Sequence, residues 1–397
     1  MDISDILAAL GVILNGLPQG LLAMSLGFAS IPTSLGFFIG AICCFAFNSL
    51  APISFQAETI VMAHTLGKNI RETLSMIFFG GLIMLVVGIL GLQQAAVNLS
   101  GPIIINAMMA GVGIVLGRLA LNMIKEARIV ALSSILSAAI IYFFLGHDLV
   151  YTICGSVIIS SIIQYVMKTY CPSCLDSTHD QAPAAAAKEV ASSSDAAESP
   201  VLEDACAQKP CGGSIASYIR THFVFHKPQL SVRIIRGALA MACLNVGANI
   251  AFGNITASLA HGSQNIDVLS IYSSLADVVT SLFGGAPVEA IISATASAHH
   301  PVTAGIIMMV AMGALLFCGL LPKIGKFIPA QSIAGFLLIL GIVVTVGNNA
   351  PLAFGGASPQ DAVVAATTMG ATAFVDPFVG MVLGVVLKSL FAAGLCL

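Results

Sequence analysis

Two acidic residues sit inside apolar sequence behind matching prolines. Glu58 ends the run Ala51-Pro52-Ile53-Ser54-Phe55-Gln56-Ala57-Glu58, and Glu289 lies in Ala286-Pro287-Val288-Glu289-Ala290-Ile291-Ile292-Ser293. His64 follows Pro52 at the same spacing as His299 follows Pro287. A charged carboxylate at mid-bilayer depth costs at least about 2.5–3.5 kcal/mol on insertion scales, so it must face a polar cavity, find a partner or take a proton. Burial disfavours its charged form, and a helix N-terminus favours it. Two such groups beside one cavity could exchange a proton when a ligand binds. In the plainer reading, each carboxylate caps the helix behind its proline by accepting first-turn N–H bonds.

Groups able to hold a small ligand surround them. Gly285 and Ala286 let backbone approach a ligand closely, or form an ordinary helix start with Pro287 in the first position. Gln56 offers both a donor and an acceptor to a planar heterocycle, and Phe55 offers a ring to stack on one, unless it is simply core. Asn245 and Asn249 stand one helical turn apart and share a face. Amides there hold a neighbouring helix as readily as a ligand. Asn15 and Gln19, around Pro18, share a face likewise. Asp277 reads as a structural bond to a helix end, and His64 and His299 read as interfacial caps.

The elements that position these groups follow from composition. The chain has 397 residues, 58% of them hydrophobic and only 8% charged, with mean hydropathy +1.00. A soluble domain of this length carries far more surface charge. Apolar runs of helical length recur from end to end, which makes this an all-α polytopic membrane protein of about fourteen spans, multi-pass in a cell (inner) membrane. No basic region precedes the first apolar run, which is read as a span and not as a cleaved signal. A net charge of −3 gives no footprint for nucleic acid. There is no Trp, so Tyr and Phe must serve at the interfaces.

Residues 1–168 and 232–397 read as two seven-span repeats joined by a polar, flexible segment over 169–231. In each half the third span is short, over 52–66 and 287–298. Helices of that length cannot cross about 30 Å of hydrocarbon, so each is expected to be a half-helix preceded by non-helical backbone. Interrupted apolar segments in matching positions point to the binding site of a secondary transporter, and an odd span number per repeat makes the halves inverted. Lys and Arg cluster in the loops after odd-numbered spans, which by the positive-inside rule favours those loops in the cytoplasm and the termini outside. Cys171, Cys174, Cys206 and Cys211 fall in the polar segment. They are weak candidates for a zinc site; two disulfides or free thiols fit as well. No other metal or cofactor is implied, beyond H⁺ or Na⁺ as a coupling ion.

The stretches Gly284-Gly285-Ala286-Pro287, Asn245 to Ala260 with Gly247, Gly253 and Asn254, Ala276-Asp277-Val278-Val279-Thr280-Ser281-Leu282-Phe283-Gly284 and Leu50-Ala51-Pro52 carry a resemblance. They resemble the tenth, eighth, ninth and third spans of the nucleobase/ascorbate permeases, including the uracil/xanthine and adenine/guanine/hypoxanthine branches. The resemblance implies a seven-plus-seven inverted repeat with short strands before the half-helices, and both termini inside, where the loop charges favour outside. A core domain of spans 1–4 and 8–11 would move, elevator-like, against a gate domain of spans 5–7 and 12–14. Phe55, Gln56, Glu58, Gly285, Ala286, Val288 and Glu289 would line the substrate site, and a homodimer would form through the gate. The family's carboxylate in span 8 has Leu244 and Asn245 as its nearest counterparts here. Its second carboxylate falls on Ser293, with the acid moved one turn earlier to Glu289.

The expectation is therefore a permease in the lipid bilayer for a small-molecule substrate, first of all a purine or pyrimidine. An anion or other small-solute carrier on the same fold is the alternative, since half-helix N-termini attract anions; two carboxylates and the lack of a basic residue in span 10 weigh against it. A channel or membrane sensor is the alternative of another class. An enzyme is not expected, because the chain has no His-Glu-x-x-His, Asp-rich or nucleophile–base motif.

Overall fold

The computed structural model describes residues 2–144, 149–170, 223–291, 293–325, 330–355 and 358–393. The first half runs α1 (Ile3–Ser25), α2 (Ser30–Phe47), β1 (Ile53–Ser54), α3 (Ala57–Leu66), α4 (Ile70–Ile89), α5 (Gln93–Glu126), α6 (Arg128–Phe144) and α7 (Leu149–Tyr170). The second half runs α8 (Val232–Leu259), α9 (Ile266–Leu282), β2 (Glu289–Ala290), a 3₁₀ turn (Ala294–Ser297), α10 (Pro301–Phe317) and α11 (Leu320–Gly325). It continues through α12 (Ala334–Leu338), a π-helical stretch (Ile339–Val346), α13 (Gly347–Phe354), α14 (Pro359–Phe374) and α15 (Pro377–Ala392). Both halves thus place two helices, a two-residue strand and a short helical segment in the same order. Five helical segments among the described residues are long and apolar enough to cross a membrane: Asp5–Ser25, Ser30–Phe47, Ile70–Ile89, Asn98–Lys125 and Gln331–Phe354. Side chains such as Phe45 and Phe144, 77% and 83% exposed, present an apolar face suited to lipid.

Local chemistry sets the helix ends. Asn69 accepts from the Glu72 N–H at 2.9 Å to start α4, and Asn265 accepts from the Asp267 and Val268 N–H groups to start α9. Ser358 with Asp361 forms a capping box at α14, and Asp376 caps α15 with Pro377 following it. α2 ends at Asn48 in the left-handed conformation, φ 50°. Gly101, at φ 78° ahead of Pro102, breaks α5, and Lys388 Nζ reaches the Ser100 carbonyl there at 3.2 Å.

α2, α4, α9 and α10 pack together, and α8 joins them through α4. α5 packs on α14, α15 and the π-helical stretch, and α6 packs on α7. Between the groups, α8 touches α5 and α15, and α1 touches α7. One core cluster centres on Phe37, Ile53, Phe55, Ile60, Met309 and Met312, directly around the strands.

Two expectations meet a different structure. The half-helix expected over 287–298 is a strand followed by one 3₁₀ turn. Its sequence explains this, because Ser293 Oγ bonds both the Thr295 N–H and the Thr295 hydroxyl, and such local bonds compete with a helix. The polar segment expected to be flexible over 169–231 is fixed at 223–231. There the His226 N–H bonds the Leu282 carbonyl at 2.7 Å and the Gln229 N–H bonds Ser75 Oγ at 2.9 Å. Cys171, Cys174, Cys206 and Cys211 lie outside the described residues.

Candidate functional site

The strands β1 and β2 form an antiparallel ribbon in which Ile53 faces Ala290 and Ser54 faces Glu289. The ribbon is pinned from both sides. Tyr272 on α9 donates to the Ala51 carbonyl and sits 2.8 Å from Ser49 Oγ. The Ile291 N–H reaches the Pro52 carbonyl at 3.4 Å. On α1, a Cβ at Gly16 would stand 3.3 Å from Ser54 Oγ, so a glycine there lets the helix pass against the ribbon.

Glu289 is fully buried on β2, and not in the first turn of a helix. Asn245 of α8 donates its Nδ2 to Glu289 Oε1. The Asp277 carboxyl, from α9, meets the Glu289 carboxyl and accepts the Val288 N–H at 2.8 Å. Neither acid is paired with a Lys or Arg among the described residues. Asp277 thus makes the structural bond expected of it, but to the stretch leading into β2 and not to a helix end. Glu289 Oε2, Asn245 Oδ1 and Ser54 Oγ are buried without a hydrogen-bond partner.

Glu58 sits in the first turn of α3, 5% exposed, where the capping reading places it. Its carboxylate also faces the other helix group, with Thr345 Oγ1 of the π-helical stretch 3.5 Å from its Oε1. Gln56, the N-cap residue, accepts from Thr59 Oγ1 at 2.8 Å through its Oε1 and leaves its Nε2 buried without a partner. The α3 side of the ribbon thus carries both a buried acid, Glu58, and an unpartnered donor, Gln56 Nε2.

Other candidates are used in packing. Phe55 lies edge-on to Phe37 at 5.2 Å and fills the space over Gly20, so it is not free to stack on a ligand. Val288 packs over Gly36 of α2. The close approach that Gly285 allows is to Thr33 and Pro32 of α2, and the Ala286 N–H bonds Thr33 Oγ1 at 2.8 Å. Asn249 donates to Ser270 of α9 at 3.3 Å, a helix–helix bond. Ser293 caps its 3₁₀ turn. His299 stacks on His300, whose Nδ1 lies 3.1 Å from buried Asp5.

No protein-family model and no curated protein matches the sequence. Solved structures do. The transmembrane domain of the cyanobacterium bicarbonate transporter BicA has TM-score 0.64 at 13% identity, covering 96% of each chain. The likeness is one of fold. SLC26A9 gives TM-score 0.65 at 11% identity, over 98% of this chain and 65% of that one. The murine Slc26a9 anion transporter in the inward-facing state gives 0.60 at 13%, over 98% and 68%. The chain spans about two thirds of the SLC26A9 chains it matches. These transporters share their fold with nucleobase permeases. The resemblance drawn from the sequence therefore holds as architecture, and the comparisons carry it no further.

Ser54, Thr345, Tyr272 and the pairing of Asp277 with Glu289 were not among the expected site residues. Ser54 was within reach: it follows Pro52 as Glu289 follows Pro287. Thr345 lies in an apolar run with no pattern to mark it.

Proposed function

We propose that this chain is a secondary transporter that carries a small anion together with a coupling cation, H⁺ or Na⁺. The movement would be elevator-like, with α1–α4 and α8–α10 shifting against α5–α7 and α12–α15. What supports this reading is the set of unpartnered buried polar atoms around the ribbon. Buried polar groups are nearly always bonded, so these four atoms are sites that a ligand, an ion or water would satisfy. Glu289 Oε2, Asn245 Oδ1 and Ser54 Oγ are oxygens suited to a proton or a hard cation. Gln56 Nε2 and the N-terminus of α3 are donors suited to an anion.

The charge count supports co-transport. Asp277, Glu289 and Glu58 are acidic, and among the described residues no cationic side chain is paired with them. An anion entering such a site is repelled unless a cation or proton comes with it. The structural neighbours, a bicarbonate transporter and an anion transporter, point the same way. A nucleobase finds less here, because the ring meant to stack on it is packed against Phe37.

The test is uptake into proteoliposomes of labelled bicarbonate, chloride, sulfate and uracil, each with and without an imposed Na⁺ or H⁺ gradient. The expected result is uptake of one anion, driven by one of the gradients. Uracil uptake alone, or anion uptake indifferent to both gradients, overturns the reading.

A further inference from the structure

Away from the ribbon, the segment 223–231 lies over the start of α4 and the end of α9. Between them is a small notch, open to solvent, lined by Arg71, Ser75, Phe78, His226, Lys227 and Ser281, among others. Three basic side chains from two segments converge on it, and no carboxylate lines it. Glu72, next to Arg71, is turned elsewhere: its Oε2 accepts the Lys68 N–H at 3.2 Å and lies 3.9 Å from Arg233. Burial and the Arg71 guanidinium beside it hold His226 below its ordinary value, leaving Arg71 and Lys227 as the standing charges. Both are exposed.

The surroundings of the notch are apolar. Val224 and Phe225 are each 56% exposed, and Leu230 is 70% exposed. Phe223 and Phe225 hold the segment against Phe283 edge-on, at 5.8 and 6.2 Å. Cations beside outward-facing apolar side chains, on a strap between membrane helices, describe a place at the headgroup level of a bilayer. Lys68 and Arg233 stand close by, both against Glu72, and by the positive-inside rule such a cluster of basic residues favours the cytoplasmic side, where anionic lipids gather.

We propose that the Arg71–His226–Lys227 notch binds the phosphate of an anionic phospholipid headgroup. The phosphate sits at the mouth of the notch between the exposed Arg71 and Lys227 side chains, and the acyl chains run along Val224, Phe225 and the outer face of α4. Arg71 and Lys227 supply the charge, and the imidazole of His226 supplies a donor. His226 also overlies Gly284, where an added Cβ would stand 3.2 Å from its Nε2. Gly284 opens the stretch that leads into β2, so an occupied notch braces the approach to Glu289.

The experiment is thermal unfolding of the delipidated full chain in neutral detergent, titrated with phosphatidylglycerol, phosphatidylcholine or inorganic phosphate. Phosphatidylglycerol is expected to raise the melting temperature saturably, with phosphatidylcholine inert and free phosphate far weaker. Each basic residue near a membrane surface contributes about 1 kcal/mol, or roughly a fivefold change in affinity. Arg71→Gln and Lys227→Gln should therefore each weaken phosphatidylglycerol roughly fivefold and the double variant roughly 25-fold. Lys68→Gln, on the same face but outside the notch, should leave it unchanged. All are exposed positions, and each variant's melting temperature without lipid reports its folding. An equal shift from phosphatidylcholine, an undiminished response in the double variant, or an equal loss in Lys68→Gln overturns the site. A full shift from inorganic phosphate alone overturns its assignment to lipid.

Discussion

Ser54 and Glu289 face each other across the ribbon, and each stands two residues after the proline of its own half. The duplicated sequence pattern therefore meets itself in space, because matching positions after the two prolines are direct partners in the ribbon. Serine on one side and glutamate on the other break the symmetry. This puts the acid, its Asn245 donor and its Asp277 neighbour all on the second half, and the α3 N-terminus on the first.

Glu289→Gln should uncouple transport while preserving the fold. The amide keeps an acceptor for Asn245 and turns a donor toward Asp277, so stability should be unchanged or higher. The group that would take the cation or proton is lost. A hydrogen bond to a charged group contributes about 1.5–3 kcal/mol, so driven uptake should fall roughly tenfold or more. Uptake that still follows the gradient would show that Glu289 is a structural acid.

Tyr272→Phe should destabilise the protein by about 1–3 kcal/mol, the usual cost of a buried group left without its partner. The Ala51 carbonyl would keep only the longer bond from the Ser49 hydroxyl at 3.3 Å, and Ser49 Oγ would lose a neighbour at 2.8 Å. Both lie in the turn that sets Pro52 and the register of β1. Denaturation monitored by intrinsic tyrosine fluorescence or circular dichroism measures the loss. Wild-type stability in Tyr272→Phe would mean that the ribbon keeps its register without α9.

The limits of reading this chain from its sequence can be seen at single residues. Pro52 and Pro287 announce the breaks because proline and apolar runs are local signals, and the short third spans follow from length alone. Glu289 draws attention because a carboxylate is costly in lipid. What it touches is not local, because Asn245 and Asp277 come from two other helices. Phe55 misleads for the same reason: an aromatic ring beside a candidate site looks the same in sequence whether it faces a ligand or Phe37. The 3₁₀ turn at Ala294–Ser297 is legible afterwards in its alternating hydroxyls, but hydropathy does not distinguish it from a helix.

Gly285→Ala and Gly370→Ala should move stability in opposite directions. At Gly285 a Cβ would lie 2.9 Å from the Thr33 nitrogen and 3.1 Å from the Pro32 carbonyl carbon. Both are backbone atoms of α2 that cannot swing aside, so the overpacking should cost about 1–3 kcal/mol. At Gly370, inside α14, nothing lies within 4 Å of the added carbon. There the gain in helix propensity should stabilise by about 0.5–1 kcal/mol. Equal melting temperatures for the two variants would contradict the close packing of the Gly285 turn on α2.

Two ion pairs tie α8 to its neighbours and should behave differently. Arg233 meets Glu72 at 3.9 Å with both side chains partly exposed, so Arg233→Gln should change stability by less than about 1 kcal/mol. Arg236 meets Asp376 at 3.2 Å, and Asp376 is fully buried while capping α15. Removing the guanidinium leaves a buried carboxylate with only the Val379 N–H, at 2.8 Å, to satisfy it. Arg236 is itself half exposed, so the loss should be about 1–3 kcal/mol, below that of a fully buried pair. The pair also spans the boundary across which an elevator would slide, since α8 and α15 fall on opposite sides of it. Arg236→Gln should therefore lower the melting temperature and also change the turnover rate, whereas Arg233→Gln should do neither. An Arg236→Gln protein with reduced stability but wild-type transport would mean that α8 and α15 stay together throughout the cycle, and that the sliding surface lies elsewhere.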